Sequence, residues 1–180
     1  GVIFGSNVGT TVTALLVSFK LEKVAPIILL VGVIAFMFSK NQNIKKIGEV
    51  IIGFGVLFMG LSSMSAAMSG MKESQYILDL FASLKSPLFA ILLGFVITGI
   101  VQSSSVTVSI MVLLANQNLL GMDICMYITL GCNIGSCTTA LIASLSGKKD
   151  AKRAAMIHFL FNVIGTAIMY VILRFAMDWV

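Results

Sequence analysis

A chain of 180 residues that is 58% hydrophobic and only 11% charged, with a mean hydropathy of +1.06, has too little polar surface for a water-soluble domain and reads as an integral membrane protein. Its net charge of +5 does not point to nucleic acid, because the basic residues sit in short loops between apolar runs, the pattern of cytoplasmic loops. Cys125, Cys132 and Cys137 are odd in number and lack metal-ligand spacing, so they read as small buried residues rather than a disulfide framework or a zinc site.

Residues 2–19 are apolar around a polar patch, Ser6-Asn7 and Thr10-Thr11-Thr13. No cleavable signal peptide is visible, and residue 1 already lies inside this segment, which reads as a cut within a longer protein. Lys20-Leu21-Glu22-Lys23 is a short loop, and Val24 to Ser39 an apolar helix with Pro26 tolerated in its first turn. Lys40 to Lys46 is a basic loop, and Ile47 to Met68 a third span, with Glu49 expected to cap its start or pair with a lysine. Residues 70–86 leave the membrane. Within them Tyr76, Leu80 and Leu84 share one helical face, as an interfacial helix requires. An interrupted segment 87–115, a broken helix 122–145, the basic loop Lys148 to Arg153 and a last span 154–173 follow, with Arg174 and Asp178 at its far end. The chain thus divides into 1–69, an extramembrane linker 70–86, and 87–180.

The interruption carries the chemistry. Gln102-Ser103-Ser104-Ser105, continued by Thr107 and Ser109, stands inside apolar sequence, where hydrocarbon cannot hydrate an amide and three adjacent hydroxyls. The apolar arms on either side, Pro87 to Val101 and Val106 to Leu114, each fall short of the roughly 20 residues a spanning helix needs. One straight helix through both would be about 42 Å long, against about 30 Å of hydrocarbon. Loop charges agree. With Lys40–Lys46 cytoplasmic, the basic loop 148–153 is also cytoplasmic only if 87–115 dips in and returns. The expectation is a re-entrant hairpin with its tip at the serines.

Gly5-Ser6-Asn7-Val8-Gly9-Thr10-Thr11 and the residues to Ser18 align without gaps on Gly131-Cys132-Asn133-Ile134-Gly135-Ser136-Cys137 and the residues to Ser144, with seven of fourteen positions identical at an offset of 126. Matching Asn, Gly and Thr is harder to obtain by chance than matching Leu, Ile and Val. In the topology above the two copies run in opposite senses, the architecture of many secondary transporters. Gly-x-Asn-x-Gly is expected to let the backbone open, with Asn satisfying freed amides and the following hydroxyls starting a new helix whose N-terminus favours an anion. Freed carbonyls with Ser, Thr and Gln oxygens form a neutral cage suited to Na⁺. No Lys or Arg lies deep in a span, so an anion held there would need co-bound cations.

Gln102-Ser103-Ser104-Ser105 followed by Gly131-x-Asn133-x-Gly135, together with Gly5-x-Asn7-x-Gly9-Thr10-Thr11, resembles the type II sodium–phosphate cotransporter family. The similarity runs through nearly the whole chain, including Gly48-Glu49 and His158-Phe159-Leu160-Phe161-Asn162. The resemblance implies two inverted repeats, each with a QSSS hairpin and a GxNxGTxxT helix. The first QSSS would precede residue 1, and the second copy reads Ser136-Cys137 where the family has Thr-Thr.

The reading is therefore an all-α membrane protein, an inverted-repeat secondary transporter with broken helices and a re-entrant hairpin, multi-pass in the cell membrane. Its expected function is sodium-dependent symport of inorganic phosphate by alternating access. Substrate-binding candidates are Gln102, Ser103, Ser104, Ser105, Asn133, Ser136, Asn7, Thr10 and Thr11, and Na⁺ candidates are Gln102, Ser105, Thr138, Thr139 and Thr13. His158 and Asn162, four residues apart on one helix face, are secondary candidates, read first as a hydrogen-bonded pair between helices. Partners are phosphate, sodium and lipid, without nucleic acid, with a homo-oligomer kept open; Na⁺ is the coupling ion and no other cofactor is expected. Two alternatives stand. One is a non-transporting scaffold or sensor with the same fold. The other is an intramembrane serine hydrolase using Ser103–Ser105 with His158 as base, disfavoured because no Gly-x-Ser-x-Gly elbow is present and the motif is repeated.

Overall fold

The computed structural model of the chain describes residues 2–18, 21–71 and 73–177, so Lys20 and Asp178 lie outside the described residues. Among the described residues every regular element is helical. Three helices are long and apolar enough to cross a bilayer, Gln42–Gly70, Met122–Leu145 and Lys149–Ala176, as expected of a membrane protein. The chain forms two compact units, residues 15–73 and residues 1–14 with 74–180.

In the first unit a short 3-10 turn, Leu21–Lys23, leads into α2, Ala25–Phe38, and α3, Gln42–Met71; α1, Val2–Ser18, ends in this unit and begins in the other. Proline stands in the first turn of α2, where its missing N–H costs nothing. The two helices run antiparallel and touch backbone to backbone. A Cβ on Gly48 would sit 2.8 Å from the Phe36 nitrogen, and one on Gly55 2.7 Å from Leu29 Cβ. Asn41 caps α3 by accepting from the Asn43 N–H at 2.9 Å. Lys45 and Lys46 therefore belong to the helix rather than to a loop, and Glu49, two turns in, does not cap its start.

The second unit contains residues 2–14 of α1, then α4 (Gln75–Ser83), α5 (Pro87–Val101), α6 (Ser104–Asn116), α7 (Met122–Gly135), α8 (Cys137–Leu145) and α9 (Lys149–Met177). On α4, Tyr76 and Leu80 stay exposed, while Leu84 lies just past its end and is buried, so the expected three-residue face is carried by two. The basic run Lys149 to Arg153 forms the first turns of α9.

The break after α5 lies at the expected residues. Gln102 takes φ 56°, ψ 24°, the left-handed conformation, and Ser103 is extended and caps α6 by accepting from the Val106 N–H at 3.4 Å. The chain reverses there, because Thr98 Oγ1 donates to Thr107 Oγ1 at 3.1 Å, whereas residues nine apart on a straight helix are separated by about 13.5 Å.

The two Gly-x-Asn-x-Gly stretches do not open. α1 runs unbroken through Gly5 to Gly9, α7 continues to Gly135, and among the described residues no glycine has a positive φ. The interruption between α7 and α8 is a single residue, Ser136, still near helical at φ −61°, ψ −21°, so 122–145 is nearly one rod rather than a broken helix. The glycines of α7 serve packing instead. A Cβ on Gly131 would collide with the Ile91 carbonyl, one on Gly94 with the Ile128 carbonyl, and one on Gly135 would lie 2.7 Å from Thr98 Cβ. Ala90, Gly94 and Thr98, four residues apart and all buried on α5, are the facing stripe.

α9 docks on α7 and α8 through one stripe at helical spacing. Ala155, Asn162 and Thr166 are buried; Thr166 Oγ1 donates to the Leu130 carbonyl at 3.1 Å, and Tyr170 meets Tyr127 with ring centroids 5.9 Å apart.

Candidate functional site

The α5–α7 contact leaves α6 and the start of α1 to frame a cavity of about 400 Å³, inside the range of about 300–1,000 Å³ typical of ligand pockets. Its polar lining is Asn7, Thr10 and Thr11 from α1 with Thr129 and Asn133 from α7; Val8, Ala14 and Val108 complete it. Among the described residues no charged side chain lines it. Asn7 and Asn133 are the equivalent residues of the two repeat copies, so the cavity collects both. Thr129, one turn before Asn133 on the same face of α7, is a lining residue that the motif reading missed, and the spacing of four was its signal.

The serine cluster meets this wall through one residue. Thr10 Oγ1 and Ser104 Oγ lie 3.3 Å apart, a hydrogen bond in which either hydroxyl can donate. Ser103 is occupied as the α6 cap. Thr107 Oγ1 and Ser109 Oγ donate back to the carbonyls of Ser103 and Ser105, at 3.2 and 2.7 Å, and both residues are buried. They satisfy themselves within α6, as hydroxyls inside apolar helices commonly do.

The two copies share a local geometry. Thr11 Oγ1 donates to the Asn7 carbonyl at 3.5 Å, and Cys137 Sγ, at the equivalent position, donates to the Asn133 carbonyl at 3.6 Å. Ser136 Oγ donates to the same Asn133 carbonyl at 2.7 Å.

The remaining candidates are dispersed. Gln102 is exposed at the α5 end and Thr139 is exposed on α8, while Ser105, Thr138 and Thr13 are half-buried and, among the described residues, do not line the cavity. Thr138 Oγ1 instead lies 3.4 Å from where a Cβ on Gly99 would stand. Asn162 is 3% exposed, its Nδ2 donates to the His158 carbonyl at 3.1 Å, and of the two candidates it is the one seen to bond to other helices. His158 Nε2 is buried without a hydrogen-bond partner, and the nucleophile–base contact a serine hydrolase would use is not among those observed. Asn162 instead joins the two copies: Asn7 Nδ2 donates to its Oδ1 at 2.8 Å, and its Nδ2 donates to Cys137 Sγ at 3.1 Å.

The sequence matches the profile of the family described as Na+/Pi-cotransporter in two stretches, residues 1–66 and 67–179. It is 33% identical over 181 residues to YqeW, an uncharacterized protein of Bacillus subtilis, covering 99% of this chain and 58% of that protein. It is 26% identical over 169 residues to YjbB of Escherichia coli K12, named a putative inorganic phosphate export protein, covering 93% of this chain and 31% of the relative. Over 87 residues it is 38% identical to the human sodium-dependent phosphate transport protein 2C, covering 46% of this chain and 14% of that one. The chain thus spans less than two thirds of each of these relatives. No solved structure matches it.

Proposed function

The chain belongs to the Na+/Pi-cotransporter family, and from that premise we propose that it is the core of a sodium-coupled symporter of inorganic phosphate, multi-pass in the cell membrane and working by alternating access. The observation that carries this reading is the cavity whose polar wall combines Asn7, Thr10 and Thr11 with their repeat partner Asn133, and whose Thr10 meets Ser104 at the tip of the interrupted segment. Phosphate is recognised by donors around its oxygens, and the hydroxyls of Thr10, Thr11 and Ser104 can turn to donate, whereas that of Thr129 already donates to the Cys125 carbonyl at 2.8 Å. An uncharged lining supplies no lasting countercharge to a dianion, so a co-bound cation lowers the cost of placing it there. Sodium fits that role, with Gln102, Ser105, Thr13, Thr138 and Thr139 as proposed oxygen donors in a state where the hairpin and α8 approach.

Two further features belong to the proposal. Segment 87–115 acts as a re-entrant hairpin, supported by arms of 15 and 13 residues that are each short for a bilayer. The two copies are an inverted repeat, supported by their identities, by two separate family matches and by the shared bond from the fourth residue back to the Asn carbonyl. The name of the Escherichia coli relative refers to export and that of the human relative to sodium dependence. A symporter serves either direction, according to the gradients.

The test is uptake of radiolabelled phosphate by proteoliposomes of the full-length protein, with an inward gradient of sodium or of potassium. The proposal expects accumulation with sodium and at least about tenfold less with potassium, the loss of about 1.4 kcal/mol of coupling. Equal uptake in both salts would remove sodium coupling, and no uptake in either would favour the scaffold reading.

A further inference from the structure

Asn162 belongs to neither repeat motif, yet it touches both. It lies in the middle of α9 at 3% exposure, and its whole amide is engaged. An amide nitrogen carries two N–H groups, and Asn162 directs its pair to the His158 carbonyl and to Cys137 Sγ, each at 3.1 Å. The His158 carbonyl only accepts. Exchanging the nitrogen and oxygen of Asn162 would set two acceptors against each other, so the orientation of the amide follows from its neighbours. Its Oδ1 must therefore face Asn7, and Asn7 must meet it with Nδ2, at 2.8 Å.

This has a chemical consequence for the cavity. Asn7 lines it, and one of its amide N–H groups is committed to α9. Among the described residues its Oδ1 receives no hydrogen bond, so Asn7 keeps that acceptor, with one N–H, to offer. An amide oxygen attracts a cation and repels a phosphate oxygen. Resting on the transport reading above, we propose that Asn162 is a positioning residue for the coupling cation: by taking one N–H of Asn7, it fixes the amide so that the Asn7 Oδ1 is turned away from α9 and stands free as a sodium ligand. The thiol of Cys137 is part of the same device. It stands where the first copy has Thr11, its one S–H lies within reach of both the Asn133 and His158 carbonyls, at 3.6 Å each, and its sulfur accepts from Asn162. Soft sulfur is a poor ligand for a hard cation, and here it is engaged in packing α8 on α9.

The proposal is tested without relying on transport. The purified full-length protein is melted in detergent across a titration of sodium chloride, with choline chloride holding ionic strength constant, since a cation that binds the folded state raises its melting temperature. The expected result is a saturable sodium-specific rise in the wild type, with the half-saturating concentration increased at least about fivefold by Asn162→Ala. Asn7→Ala should produce the same shift, and the double variant no more than either alone, because one residue acts through the other. The half-saturating phosphate concentration at saturating sodium should stay within about twofold of wild type in Asn162→Ala, which a general loosening of the fold would not allow. If Asn162→Ala accumulates poorly, Asn162→Ser, too short to reach Asn7, takes its place in the same cycle. An unchanged sodium midpoint, additive shifts, an equal shift for phosphate, or no sodium-specific rise in the wild type would each overturn the assignment. A wild type that binds sodium with these shifts but moves no phosphate would remove the transport reading and leave the role of Asn162 intact.

Discussion

Ser104 and Ser109 show how differently two hydroxyls of one polar run are used. Ser104 faces Thr10 across the cavity edge, whereas Ser109 is buried and donates to its own helix. In sequence both belong to one cluster in apolar surroundings. The bond from a hydroxyl to the carbonyl four residues earlier is local and invisible to composition, so Ser109 could not be told from a ligand. Ser104→Ala should therefore lower sodium-dependent phosphate transport at least about tenfold at near wild-type protein level, and Ser109→Ala should leave it within about twofold. Asn133→Ala should match Ser104→Ala, since Asn133 lines the cavity as the counterpart of Asn7. These rates, measured alongside membrane protein levels, separate ligand loss from misfolding. A drop that merely follows protein level would return Ser104 and Asn133 to a packing role.

At the scale of elements, the break at Gln102 was legible and the supposed breaks at the two Asn motifs were not. Two apolar arms too short for the bilayer and a run of serines mark a local event, and Ser103 is a good cap. Gly131 and Gly135 are ambiguous in sequence, because glycine serves both a left-handed turn and a close helix contact. The deciding information is the partner helix, 34 to 40 residues away in sequence at the contacts, whose Ala90, Gly94 and Thr98 stripe carried the signal only once α5 and α7 were paired. Gly131→Val should drive side-chain atoms into the Ile91 carbonyl and destabilise the unit by about 1–3 kcal/mol or more. Gly53→Ala, with open space around its Cβ position, should cost little and gains helix propensity. Melting temperatures of the two variants in detergent check the contrast, and equal shifts would mean that the α5–α7 contact is not the support of the site.

For the whole molecule, hydrophobicity made the membrane class plain from composition, and the recurrence of Asn, Gly and Thr at a fixed offset pointed to paired motifs. What the sequence could not supply was the link between them, because Asn162 matches neither copy and acts through bonds to Asn7 and Cys137. With the start of α9 basic and residues 70–86 opposite, a cysteine replacing Lys152 should react with an impermeant reagent only from the cytoplasmic side, and one replacing Ser74 only from the other. Labelling of both from one side would undo the re-entrant topology. The central claim, that a neutral cavity holds phosphate only together with sodium, is met most directly by equilibrium binding of radiolabelled phosphate to the full-length protein in lipid nanodiscs. The account predicts saturable binding in sodium chloride that weakens at least about tenfold in potassium chloride and is lost to the same extent in Ser104→Ala; binding of equal strength in both salts, indifferent to Ser104, would contradict it.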